Sequence, residues 1–170
     1  MGHQIEVGTR VKLLKHIEEN PGIRYRELLR LAGIVNGVLT YHLAALEKAN
    51  VVKVDRQSRI TRYFPVTISD NESGILRFLR HEPLRQILLF ILDHEMCTFD
   101  EIVHHTRKSA STVSSHLKRL KEAGIVSVRS GEYRFYSLVP KDLIAEVLSK
   151  YKPSFVDRLV DNYADMVQEL

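Results

Sequence analysis

Residues 40–52 read TYHLAALEKANVV, and 74 positions later residues 114–126 read SSHLKRLKEAGIV. That duplication limits the chain to folds that can be built twice from one compact unit. Sliding the sequence against itself by 74 aligns Leu14 with Leu88, Ile17 with Ile91, Glu27 with Glu101, His42 with His116 and Leu43 with Leu117. The register continues through Leu46 and Leu120, Ala49 and Ala123, Val52 and Val126, and Val54 and Val128, giving nine identities in the 41 positions from Leu14 to Val54. A two-residue contraction then brings Arg62-Tyr63-Phe64 onto Arg134-Phe135-Tyr136, as a shortened hairpin tip would. Each copy is about 60 residues, enough to close its own core, so two domains are expected and a solenoid is not.

Both copies have the same order of hydrophobic periods. In the first, Val11, Leu14 and Ile17 form a helical stripe that Asn20-Pro21-Gly22 ends. A short helix follows from near Tyr25, with Leu28, Leu29 and Leu31 apolar and Gly33 as its stop. Asn36 is placed to cap a third helix, along one face of which lie Leu39, Leu43 and Leu46. The period then changes to two: Val52 and Val54 alternate with polar neighbours, residues 55–59 turn the chain, and Arg62 to Val66 return as a strand. The second copy repeats this with Leu88 and Ile91, then Ile102 and Val103, then Ser109 as cap before Val113, Leu117 and Leu120, with Ser130-Gly131 as the tighter turn.

Helix, helix, turn, helix and hairpin is the order of a winged helix-turn-helix. The segments HLAALEKANVV and HLKRLKEAGIV resemble the recognition-helix signature of ArsR-type and MarR-type regulators, HLxxLxxAGIV. Residues 10–66 are similar to the first domain of archaeal two-winged-helix regulators, and residues 83–139, including PLRQILLFIL, to an ArsR-type domain. The first copy departs from that pattern at Asn50, where glycine is usual, although asparagine also tolerates the left-handed conformation. The resemblance implies a mainly α fold with small β-hairpin wings (α+β): a first winged domain over 1–68, a second with its leading helix over 69–152, and a C-terminal amphipathic helix over 153–170. It also implies a regulator whose partner is double-stranded DNA, while the single cysteine and an opening stretch without the apolar run of a secretory signal lead to the expectation of a cytoplasmic protein.

Opposite the apolar stripe, the third helix of the second copy carries Ser111, Thr112, Ser115, Lys118 and Arg119. Short donors in the first turns suit base edges, and cations one turn later suit phosphates. The matching face of the first copy, with Asn36, Thr40, Tyr41 and Lys48 among Gly37, Val38, Ala44 and Ala45, is poorer in hydrogen bonds but can meet thymine methyls. Arg56, Arg59 and Arg129 fall in the wings, where backbone or minor-groove contacts are expected. Charge supports this placement. Residues 24–62 hold eight Lys and Arg against three acids, and residues 107–134 seven against two, whereas residues 141–170 hold four against six. Within a chain of net charge +4, the cations concentrate where phosphates would lie.

Other chemistry is weakly supported. The single Cys97 rules out an intrachain disulfide and reads as a buried thiol, and the neighbours His104 and His105 point to different sides of a helix, so no metal and no cofactor are expected. The duplicated His42 and His116 are expected to supply a hydrogen bond that supports the motif. The chain has no phosphate-binding loop, HExxH or dinucleotide turn, no small-molecule site is evident, and no apolar run approaches the ~20 residues that span a membrane, so a non-enzyme is expected. Between the copies, residues 69–72 suit a turn and helix cap ahead of Ile75, Leu76, Phe78 and Leu79. In the tail, Val156, Leu159, Tyr163, Met166 and Leu170 recur at alternating intervals of three and four, a heptad seam suited either to a homodimer or to the chain's own core. The expected function is therefore a DNA-binding transcriptional regulator, and the alternatives are a winged-helix protein adaptor or a sequence-neutral architectural protein.

Overall fold

A computed structural model describes residues 2–56 and 60–155, with side chains from Val7 onward. The chain divides into two compact units, one running to Arg77 and joined by Tyr151–Phe155, the other spanning Phe78–Lys150. The expected C-terminal seam at Val156, Leu159, Tyr163, Met166 and Leu170 lies outside the described residues, as does Arg59.

The first unit contains α1 (Gly2–Glu19), β1 (Ile23–Arg24), α2 (Tyr25–Ala32), α3 (Asn36–Lys48), β2 (Val52–Asp55) and β3 (Arg62–Pro65), followed by α4 (Asp70–Leu79), which runs across the boundary. Its sheet has the order β1-β3-β2, antiparallel throughout. The second unit repeats the plan as α5 (Glu82–His94), β4 (Cys97–Thr98), α6 (Phe99–Thr106), α7 (Ala110–Glu122), β5 (Val126–Ser130) and β6 (Arg134–Leu138), then adds α8 (Lys141–Tyr151). Its sheet order is β4-β6-β5. Each module thus carries a third strand of only two residues, β1 or β4, which gives the wing a fixed edge to return to.

The periodicities translate into packing with one rotation. Leu13 and Ile17, one turn apart, are fully buried on α1, whereas Val11 is 62% exposed. The expected stripe through Val11 is corrected accordingly: Leu buries one CH2 more than Val, worth about 0.8 kcal/mol, which favours the face that seals Leu13 over the one that would seal Val11. Around this pair pack Ile23, Leu28, Ala32, Leu39, Leu43, Leu46, Val52 and Tyr63. In the second unit the corresponding places are held by Ile87, Ile91, Cys97, Ile102, Val113, Leu117, Leu120 and Val126, all buried.

The return strand corrects the alignment made from identity alone. Val54 pairs with Tyr63 and Ile23 with Tyr63, while Val128 pairs with Tyr136 and Cys97 with Tyr136. Tyr63 therefore matches Tyr136, and the hairpin contracts by one residue rather than two. Because side chains alternate across a strand, the one-residue difference sends Arg62 and Arg134 to different fates. Arg62 is buried and donates from Nη1 to the Gly22 carbonyl at 2.9 Å, whereas Arg134 is exposed.

At the joint, Ser69 and Glu72 form a reciprocal cap: the Glu72 amide donates to Ser69 Oγ at 3.2 Å and the Ser69 amide donates to Glu72 Oε2 at 3.1 Å. Lys53 lies 2.7 Å from Asp70 and Arg77 lies 3.7 Å from Asp55, so α4 is tied to β2. Those ties carry the first compact unit to Arg77, beyond residue 68.

Candidate nucleic-acid interface

In the first module α2 and α3 meet at 112°, within the ~90–120° of a helix-turn-helix. Turning so sharply needs a left-handed residue after the second helix, and Gly33 supplies it at φ +64°, its amide donating to the Leu29 carbonyl at 3.2 Å. Arg107 takes the same place in the second module at φ +53°, its amide donating to the Val103 carbonyl.

Both third helices bury one side and leave the other in solvent. On α7, Val113, Leu117 and Leu120 are buried, while Ser111, Ser115, Lys118 and Arg119 are exposed and Thr112 is half-buried. Ser109 caps the helix as expected, accepting from the Thr112 amide at 3.3 Å and lying 2.8 Å from the Thr112 hydroxyl and 3.1 Å from that of Ser111. On α3, Leu39, His42, Leu43 and Leu46 are buried, while Asn36, Thr40, Tyr41 and Lys48 are exposed. Asn36 is not the cap. Val35 holds that place in extended conformation without a side-chain bond, and Asn36 begins the helix.

Sequence reasoning missed the residue that explains this. The Tyr25 hydroxyl, at the start of α2, donates to Asn36 Oδ1 at 2.6 Å and lies 2.8 Å from the Thr40 hydroxyl. Asn36 is thus drawn toward α2 instead of folding back on its own amides. Only the hydroxyl distinguishes Tyr25 from its counterpart Phe99, so a pattern of apolar and polar positions carries no sign of it. Tyr41 is 55% exposed, with the Arg10 guanidinium 5.9 Å from its ring centre and the His42 ring edge-on at 5.2 Å.

The wings differ more than the helices. Arg56 makes a two-pronged pair with Glu47 of α3, Nη1 to Oε1 at 2.6 Å and Nη2 to Oε2 at 2.8 Å. That bond holds the Glu47 carboxyl below its ordinary range and raises the Arg56 guanidinium. Arg129 is exposed on β5. Between α7 and the second wing lies a cleft of about 380 Å³, lined by Lys118, Lys121 and Arg134 together with Ser114, Ser130 and Tyr136. Lys121 and Arg134 were not among the expected contacts, because their convergence depends on the hairpin folding back beside the helix.

Residues 82–128 match the family model of bacterial regulatory proteins of the arsR family, and residues 7–76 match a model of N-terminal helix-turn-helix domains. Each module thus matches a helix-turn-helix model of its own, and the match over the second is of the arsR type. An uncharacterized HTH-type transcriptional regulator of Methanocaldococcus jannaschii is 26% identical over 136 residues, which cover 80% of this chain and 34% of that protein. The chain spans about a third of the length of that curated relative. Among solved structures, the transcriptional repressor BigR from Xylella fastidiosa shares 23% identity at a TM-score of 0.44, over 49% of this chain and 85% of that one. HlyU from Vibrio cholerae shares 25% identity at a TM-score of 0.43, over 50% of this chain and 96% of that one.

Among the described residues the repeated histidines do not make the expected hydrogen bond. Nδ1 of His42 and Nδ1 of His116 are both buried without a hydrogen-bond partner. The rings pack edge-on instead, His42 on Tyr41 and His116 on His81 at 5.4 Å. Burial, with Arg119 and Lys108 nearby, lowers the His116 pKa. Cys97 is buried as expected, and burial together with Glu101 pushes its thiol up to about 11, far from the reactive thiolate range. His94 and His105 both lie against the Phe90 ring at 4.2 Å, and no group of three metal-binding side chains occurs among the described residues. No single helix among the described residues is long and apolar enough to cross a membrane.

Proposed function

We propose that this chain binds promoter DNA and regulates transcription, placing α3 and α7 in major grooves. The observation that carries this reading is the solvent side of α7. Ser111, Ser115, Lys118 and Arg119 stand exposed along a helix whose other side is sealed, beside a wing that presents Arg129 and Arg134. Hydroxyls on the first turns match the donors and acceptors of base edges, and the later cations match the phosphate backbone. On α3 the exposed Val38, Tyr41 and Ala44 offer apolar contact suited to thymine methyls, with Lys48 as the cation.

Fluorescence anisotropy of labelled duplexes tests the proposal across graded salt. A duplex from the chain's own upstream region binds more tightly than an unrelated one, and affinity falls linearly on a log-log salt plot. Lys118→Ala and Arg119→Ala weaken every sequence and each lower the slope by about 1, whereas Ser115→Ala changes the order of preference. A chain that ignores duplex DNA at low salt would be a protein adaptor, and equal affinity for all duplexes would make it architectural.

A further inference from the structure

The two modules share a backbone plan but not an electrostatic one, and the difference is concentrated between the third helix and the wing. In the second module that space is lined by three cations, Lys118 and Lys121 from α7 and Arg134 from β6, with the hydroxyls of Ser114, Ser130 and Tyr136 among them. Glu122 lies 3.9 Å from Lys118, but both side chains are largely in solvent, so the pair neutralises little. The repeat register and the strand pairing assign the corresponding positions in the first module: Ala44 for Lys118, Glu47 for Lys121, Arg56 for Ser130, Thr61 for Arg134 and Tyr63 for Tyr136. There a carboxylate and a guanidinium meet at 2.6 and 2.8 Å. Arg56 and Glu47 also act on the Tyr63 hydroxyl, which places all three in one neighbourhood.

We propose that the cleft between α7 and the second wing is a phosphate-group site, and that the Glu47–Arg56 pair fills the same place in the first module with the chain's own anion. A two-pronged arginine-carboxylate pair has the geometry of an arginine-phosphate contact, so Glu47 stands where a phosphate would stand. The second cleft has the complementary vacancy of charge: three donors of positive charge, three hydroxyls and no carboxylate among its lining residues. Resting on the DNA-binding reading, the proposal assigns the backbone grip to one module and leaves the other to contact bases with its apolar face.

The site is probed in the full chain with inorganic pyrophosphate, following backbone amide resonances. Shifts at Lys118, Lys121, Ser130 and Arg134, with none at Glu47 and Arg56, are expected. Equal shifts in both modules, or none in the second, overturn the proposal. Lys121→Glu combined with Ser130→Arg copies the latch into the second module, at two exposed positions, and should abolish the pyrophosphate shifts and reduce the DNA salt slope by about 2. Lys121→Ala alone, a milder change, should reduce it by about 1. Glu47→Lys with Arg56→Ser should open the first cleft and create shifts there. Duplex binding whose slope is untouched by the copied latch sinks this inference and spares the DNA reading. Pyrophosphate binding without any duplex binding sinks the DNA reading and leaves a site for a free polyphosphate.

Discussion

At the scale of single residues, the two modules solve the same backbone problem with exchanged side chains. After the second helix the left-handed residue is Gly33 in one module and Arg107 in the other, and after the third helix it is Asn50 in one and Gly124 in the other. A left-handed L-residue costs roughly 1–2 kcal/mol, reduced for asparagine, while glycine adopts the conformation freely. Nothing lies within 4 Å of a Cβ built on Gly33 or Gly124, so a substitution there is judged on backbone strain alone. Arg107→Gly should therefore raise unfolding stability by about 1 kcal/mol and Asn50→Gly by a few tenths, whereas Gly33→Ala and Gly124→Ala each lose about 1 kcal/mol. Urea unfolding of the four variants checks the order, and an Arg107→Gly protein no more stable than the parent would refute it. His116 offers a second residue-scale test. Its folded pKa is lowered, so the stabilisation it brings is fully present above the ordinary 6.5 and is lost as pH falls through the lower folded value. Arg119, Lys108 and the His81 ring face it. Unfolding midpoints compared between about pH 7.5 and about pH 5 should fall further for the parent than for His116→Gln.

At the scale of elements, the repeated Glu27 and Glu101 find a physical meaning in the start of the second helix. Glu101 accepts from the Thr98 amide at 2.7 Å, and the Thr98 hydroxyl accepts from the Glu101 amide, completing a capping box. In the first module the Arg24 amide still donates to Glu27 at 2.9 Å, but arginine has no acceptor to return the bond. Thr98→Ala should cost about 1 kcal/mol, and Arg24→Thr should gain up to about that much by supplying the missing half. Since the Thr98 bonds hold the Glu101 pKa down, the difference between Thr98→Ala and its parent should shrink as pH falls below the ordinary 4.5 of glutamate. Thermal unfolding at the two ends of that range measures it. Such elements were largely legible beforehand. Leu39, Leu43 and Leu46 on one helix and Val113, Leu117 and Leu120 on the other announced their buried faces, and Ser109 announced its cap. What stayed hidden was set by partners distant in sequence. β1 and β4 are two residues long, too short for any alternation to show, yet they fix where the wing returns. Matching Arg62-Tyr63-Phe64 to Arg134-Phe135-Tyr136 by likeness misplaced the strand by one residue, and with it concealed Arg134 as a lining residue of the second cleft.

At the scale of the whole molecule, two unlike exposed helix faces on one chain make a distinguishable prediction about the DNA binding proposed above. If α3 and α7 each enter a major groove of the same duplex, each is answerable for its own set of base pairs, because a recognition helix reaches only three or four side chains to base edges. The α7 side carries hydroxyls at Ser111 and Ser115, and the α3 side carries Val38 and Tyr41, so the two sets should also differ in kind. Affinity measured for every single-base substitution across the bound site should show Ser115→Ala relaxing discrimination, by about 1–3 kcal/mol, at one cluster of positions where hydrogen bonding matters. Tyr41→Ala should relax it at a separate cluster where replacing thymine by uracil, which removes only the methyl, already weakens the parent. Because the residues stand on different modules, the double variant should lose the sum of the single losses. Relaxation at the same positions by both substitutions would mean that one kind of face reads the whole site through two chains. A silent Tyr41→Ala at every position would mean that α3 meets no bases, and the first module would then serve the second by some means other than reading DNA.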